Sequence, residues 1–440
     1  MSCSRLRPAA PAASRGRTAV AVRPAVWAVA ALAVSGLVAA CAVPAQKPSR
    51  RPPAASGQSG APARAATLTA LADLTLEQEV GQLFMVGGPA TGVGSATTDA
   101  IRDRHVGNVI LTGRSDLGVT RTAAITSALR QQATSSATGG VPLLIATDQE
   151  GGKVQVLQGS GFSTIPTALT QGGYTAELLR SDAGVWGRQL AAAGIDVDLA
   201  PVVDTVPSAA AAPTNPPIGY YDREFGYTAA RVAVSGDAFV RGLADADVLA
   251  TVKHFPGLGR VTGNTDVTSG VTDPTTTRYD PYVSPFLSAV FAGTPMLMMS
   301  TAYYSKIDPA NPAAFSATII GGMVRGDLHF TGVVVSDDLG SAKQVAAWSP
   351  ADRALKFLTA GGDMVLTVDP AQIPAMYDAV LARAKSSSAF RAQVDAAAGR
   401  VLTAKSERAQ HQGPRRRLGS NCHGGWSDGT GPYSCWVVTQ

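Results

Sequence analysis

Gly332-Val333-Val334-Val335-Ser336-Asp337 is a short β-branched run that meets no charge until its last residue. It lacks the strict polar–apolar alternation of a half-exposed strand, so it reads as a strand buried on both faces. Seven other runs share its character: Gln82–Gly87, Val106–Gly113, Pro142–Asp148, Ile195–Asp204, Val248–His254, Pro295–Ser300 and Asp363–Val368. Amphipathic stretches separate them, among them Thr120–Thr134, Thr175–Ala193, Thr228–Ala244 and Pro350–Thr359. Buried strands alternating with helices in this way predict an α/β fold, a single (β/α)8 TIM-type barrel over residues 67–405. A doubly wound open sheet has the same alternation. It is disfavoured because no run is followed by a Gly-rich phosphate or dinucleotide fingerprint.

Composition supports a folded body: 45% of the 440 residues are hydrophobic and 16% are charged. Much of the net charge of +5 sits at the two ends, in Arg5, Arg7, Arg15, Arg17 and Arg23 and in Arg415, Arg416 and Arg417. The body between is close to neutral, so nothing predicts a nucleic-acid partner, which would need a clustered basic face. No Cys/His spacing suggests a metal, and no cofactor motif is present.

The arginine-bearing start leads into an uncharged run, Ala25 to Ala40, too short for a membrane span and of the right length for the core of an export signal. It ends in Val38-Ala39-Ala40-Cys41, which resembles a bacterial lipobox whose cysteine is acylated. An ordinary cleaved signal followed by a chance cysteine is the alternative. The expectation is a signal over residues 1–40, lipidation at Cys41, and a Pro/Ala/Ser-rich tether over 41–66 that holds the domain outside the cell membrane. Residues 406–440 read as an irregular tail of unassigned role, either a small appendage stapled by a Cys422–Cys435 disulfide or a disordered segment.

The chemistry gathers at the ends of the runs. In a barrel, the loops leaving the C-terminal strand ends build the active site. Here those ends carry Asp148, Asp204, Lys253 with His254, and Asp337 with Asp338. Charges that close apolar runs are costly unless paired or used, and four of eight runs ending this way point to a polar pocket. Carboxylates and a Lys-His pair suit the recognition of vicinal hydroxyls, and carboxylates are also the groups that glycoside hydrolysis requires.

Four segments carry a resemblance to glycoside hydrolase family 3, within it to bacterial β-N-acetylhexosaminidases of cell-wall turnover. They are Thr147-Asp148-Gln149-Glu150-Gly151-Gly152-Lys153-Val154-Gln155, Leu199-Ala200-Pro201-Val202-Val203-Asp204, Lys253-His254-Phe255-Pro256-Gly257-Leu258-Gly259 and Val335-Ser336-Asp337-Asp338-Leu339. The resemblance implies that Asp337 is the nucleophile of a retaining reaction. It implies that Asp148, Lys253, His254 and Arg223 bind the terminal sugar's hydroxyls. Glu150 would pack beneath the site, and Asp338 would be structural. The implied partners are a carbohydrate substrate derived from peptidoglycan and, through the anchor, a membrane; the enzyme is taken to act as a monomer. Other β-glucosidases, glycoside phosphorylases and a sugar-binding lipoprotein with little turnover are the alternatives.

The chain departs from the family at the proton donor. Where the hexosaminidase branch carries Asp-Ser-His, this chain reads Asn264-Thr265-Asp266. The domain's only other histidines are His105, before a strand, and His329. Asp266 is therefore the candidate acid/base, on a Gly- and Thr-rich loop expected to close over substrate. A group from another loop, or a slow enzyme without a strong donor, are the other readings. The family's second arginine after the Gly-Gly segment is also missing, since Gln155 is followed by Val156.

Overall fold

A computed structural model describes residues 71–412, with side chains to Ala409. The signal, Cys41, the tether and the Cys422/Cys435 pair lie outside the described residues. All eight apolar runs form strands: β1 (Phe84–Pro89), β2 (Asn108–Thr112), β3 (Leu144–Thr147), β4 (Val197–Asp198), β5 (Leu249–Phe255), β6 (Met296–Met299), β7 (Val333–Ser336) and β8 (Val365–Thr367). They pair in parallel in the order β7-β6-β5-β4-β3-β2-β1-β8, and a Val335–Met364 bridge brings the two edges together. The sheet is thus a closed (β/α)8 barrel, not an open doubly wound sheet.

The two-residue period of a strand explains why the runs show no polar face. Met85, Ile110, Met296, Met298, Val333 and Val335 belong to one buried cluster inside the barrel. Their neighbours Phe84, Val86, Val109, Leu111, Leu297, Met299 and Val334 belong to a second cluster, under the surrounding helices. Both faces are dry, so both are apolar. The helices follow the amphipathic stretches closely, at Gly118–Arg130, Ala176–Ala192, Ala229–Ala244 and Pro350–Thr359. Threonine or serine caps start several of them; the Thr175, Thr228 and Ser349 side chains each accept the backbone N–H three residues on.

The expected break at Lys405 is corrected. The last helix runs Ser388–Gln412, so residues 406–412 are helical and not part of an irregular tail. Val401 and Ala404 reach the cluster inside the barrel, and the Lys405 ammonium donates to Gln82 Oε1 (2.6 Å) and the Gly107 carbonyl (2.9 Å), beside the starts of β1 and β2. This helix closes the N-terminal end and leaves the C-terminal end for chemistry.

Candidate active site

A cavity of about 310 Å³ opens at the C-terminal ends of the strands. Ile110, Met298 and Leu366 line it from the strands and Leu199 from just after β4, and Asp148, Arg223, Lys253, His254, Asp266 and Asp337 share its wall. All six residues singled out in the sequence as catalytic or sugar-binding therefore meet in one place, although they are spread over 190 positions from 148 to 337.

Two charge assemblies organise the wall. In the first, the Lys253 ammonium sits 2.7 Å from Asp148 Oδ1 and 2.6 Å from Glu150 Oε1. Arg223 grips Glu150 with Nε and Nη2, each at 2.8 Å, and donates from Nη1 to the Pro217 carbonyl at 2.7 Å. Burial alone would raise the Glu150 pKa, but the charges of Arg223 and Lys253 win and hold it at about 2. Asp198 lies beneath, and burial pushes its pKa up to about 8, which favours its neutral form under the two ion pairs. Asp148 keeps 28% of its side chain exposed against 2% for Lys253, which makes Asp148 the member most open to a ligand. Arg223 lines the cavity, but three of its nitrogens are already committed to Glu150 and Pro217.

Removing Glu150 would leave two buried cations facing each other. Glu150→Ala is expected to cost about 3–5 kcal/mol of stability, measured by chemical denaturation at pH 7. Because the folded pKa is depressed from the usual 4.5, this contribution is complete above that pH and is lost as pH falls towards 2.

The second assembly is Asp204 with His254. Asp204 is fully buried; Oδ2 accepts His254 Nδ1–H at 2.8 Å, and Oδ1 accepts the backbone N–H of His254 (3.1 Å) and Leu258 (2.9 Å). A carboxylate only accepts, so Nδ1 carries the proton and Nε2 is the nitrogen left for the cavity. Asp204 is therefore an orienter of His254 and not one more pocket carboxylate facing a ligand. The Lys253–His254 peptide bond is cis. The turn that follows needs Gly257, whose φ is 134°, and the Tyr304 hydroxyl donates to its carbonyl at 2.8 Å. Gly151, at φ 103°, is equally constrained: a Cβ there would lie 2.2 Å from the Pro166 carbonyl oxygen.

Asp337 follows β7 directly. Burial and the nearby Asp266 charge raise its pKa to about 6, against the opposing pull of His254. Its Oδ1 accepts the Asp338 N–H at 2.8 Å. Asp338 serves the backbone: it accepts N–H groups from Gly340 (2.8 Å), Ser341 (3.1 Å) and Val368 (3.1 Å), tying the loop after β7 to the end of β8. Asp266 is exposed at the cavity rim, on a loop whose Asn264 Oδ1 accepts the Asp266 N–H at 2.9 Å. Backbone bonds join that loop to the one that leaves β7. The Asp266 and Thr265 carbonyls accept N–H groups of Lys343 and Gln344, each at 3.0 Å.

The arrangement can hold a polyhydroxylated ring against Asp148, Lys253 and His254, and can present one buried and one exposed carboxyl to it. Among the described residues no group of three or more His, Cys, Asp or Glu is placed to hold a metal ion.

Comparison with known proteins agrees with this geometry. The profile described as "Glycosyl hydrolase family 3 N terminal domain" matches residues 75–404. A β-N-acetylhexosaminidase from Beutenbergia cavernae DSM 12333, solved as a crystal structure, is 55% identical; the match covers 76% of this chain and 99% of that one, with a TM-score of 0.75. A family 3 β-N-acetylglucosaminidase from Paenibacillus sp. str. FPU-7 is 32% identical over 79% of this chain and 65% of its own, with a TM-score of 0.69. A β-hexosaminidase of Xanthomonas axonopodis pv. citri is 31% identical over 317 residues, 70% of this chain and 90% of the relative. The chain belongs to glycosyl hydrolase family 3.

Proposed function

We propose that this family 3 enzyme is a β-N-acetylhexosaminidase that removes terminal β-linked N-acetylglucosamine by a retaining, two-step reaction through a glycosyl-Asp337 intermediate. The observation that carries the reading is the convergence of Asp337, Asp266, the Asp148–Lys253 pair and the His254 that Asp204 orients on one cavity of about 310 Å³. In the first step the Asp337 carboxylate attacks the anomeric carbon, the bond to the leaving oxygen breaks, and Asp266 gives that oxygen its proton. In the second, Asp266 takes a proton from water as the water oxygen displaces Asp337, and a β-sugar leaves. Asp148, Lys253 and His254 hold the sugar's hydroxyls, while Glu150 and Asp204 keep those groups in position.

Water, not phosphate, is the acceptor in this reading. Among the described residues lining the cavity, the two cations with permanent charge, Lys253 and Arg223, already face carboxylates, and Asp266 would repel a phosphate anion. The lipobox-like segment ending in Cys41 supports a lipoprotein held outside the cytoplasmic membrane, where peptidoglycan fragments are the β-N-acetylglucosaminides at hand.

The test is hydrolysis of aryl β-N-acetylglucosaminide and aryl β-glucoside, with and without phosphate, followed by product analysis. Free N-acetylglucosamine first released as the β-anomer is the expected result. Preference for the glucoside, sugar 1-phosphate as product, or the α-anomer as first product would each overturn a stated part. The free-enzyme pH profile adds a check: kcat/KM should fall as pH drops through about 6, because the raised Asp337 pKa means protonation removes the nucleophile there, not near 4.

A further inference from the structure

We infer that Gln344 is a positioning residue that sets where the Asp266 carboxyl stands, an inference that rests on Asp266 being the acid/base. Gln344 lies in the turn Lys343–Val345, on the loop that leaves the nucleophile strand β7. Its side chain is 4% exposed and is spent on one residue: Nε2 donates to the Val271 carbonyl at 3.0 Å, and Oε1 accepts the Val271 N–H at 2.9 Å. Its own N–H donates to the Thr265 carbonyl at 3.0 Å, and the neighbouring Lys343 N–H donates to Asp266 O at 3.0 Å.

Gln344 thus meets both ends of the segment 265–271, and at the Val271 end the Tyr303 N–H also donates to the Val271 carbonyl at 3.0 Å. Thr265 and Val271 are buried, while residues 266–270 between them are exposed and arch over the rim. Within the arch only local turns act: Asn264 accepts the N–H groups of Asp266 through Oδ1 (2.9 Å) and of Val267 and Thr268 through its carbonyl (3.2 and 2.8 Å). None of these ties the arch to the barrel. At the Asp266 end the bonds from Lys343 and Gln344 do, and they originate six and seven residues beyond Asp337. The nucleophile and the proton donor are therefore joined through the same loop frame. Gln344 addresses only backbone groups of the arch, so it fixes the path of the chain and leaves the Asp266 side chain free to meet the leaving oxygen.

Loss of this clamp lets the donor drift, and a displacement of about 1 Å at a reacting group costs up to about 100-fold. The cost falls only on steps that need the proton. Gln344→Leu keeps the bulk and removes both side-chain bonds. Gln344→Glu keeps the shape and removes the donor to Val271, and serves if the leucine variant does not fold. For either variant, kcat/KM for a poor leaving group (a chitobiose linkage) should fall on the order of 10- to 100-fold, with dinitrophenyl β-N-acetylglucosaminide nearly unaffected. The same substitution in an Asp266→Ala background should change neither substrate further, because the clamp acts through Asp266. An equal loss on both substrates, or a further loss in the Asp266→Ala background, overturns the inference. A leaving-group split in Asp266→Ala with none in Gln344→Leu and Gln344→Glu overturns the clamp alone. No split in Asp266→Ala removes the acid/base reading and the clamp with it.

Discussion

Asp337→Ala is expected to lose at least about 10⁴-fold in kcat while remaining folded. The fold should survive because the side chain contributes little to it. Among the described residues it accepts one hydrogen bond, from the adjacent Asp338 N–H, and burial raises its pKa to about 6, so the protein holds this carboxylate at an energetic cost. Truncation relieves that cost and leaves a small space on the face opposite the leaving group. Azide is small enough to occupy it and needs no base to act as a nucleophile. With an activated aryl β-N-acetylglucosaminide, azide should restore turnover and yield the α-glycosyl azide, since one displacement replaces two. A variant that keeps more than about one tenth of wild-type kcat, or whose azide product is β, removes Asp337 from the nucleophile's role.

The barrel was legible because its signal is local. Each strand is a run such as Val333-Val334-Val335, whose residues pack alternately inside the barrel and under the helices, and burial on both faces leaves the same apolar text anywhere in the chain. The end of the domain was not legible. Residues 406–412 continue a helix, yet their polar composition and the arginines that follow read as a change of character. The site was legible at strand ends, where a charge after an apolar run is visible in one dimension. What escaped was every relation between segments. Asp204 has the same signature as Asp148, but it turns inward to His254, fifty residues away, while Asp148 faces the opening. Gln344 carried no signal at all: a glutamine in a turn is ordinary, and its partner Val271 lies 73 residues earlier. The Gly- and Thr-rich text around Asp266 reports intrinsic backbone freedom and carries no sign of the bonds that the loop after β7 supplies.

Asp266→Ala should separate the two halves of the reaction. With a natural sugar leaving group, protonation of the departing oxygen is essential, and kcat/KM is expected to fall by about 10²–10⁴-fold. With dinitrophenolate, which departs without a proton, formation of the glycosyl-enzyme should proceed at close to the wild-type rate. The intermediate should then accumulate, because water attacks slowly without a base, and a burst of dinitrophenol followed by a slow steady state is the expected trace. Azide should relieve the slow phase and give the β-glycosyl azide, the anomer opposite to that from Asp337→Ala. The two carboxylates act on opposite faces of the sugar, so the anomer formed reports which face has lost its group. The acid limb of the kcat/KM profile that belongs to Asp337 should move below pH 6 in this variant, because the Asp266 charge that helps raise the Asp337 pKa is gone. Equal losses on both leaving groups would assign the proton to another loop. The same pair of substrates then identifies that loop, because only its carboxyl-to-alanine variant will show the split.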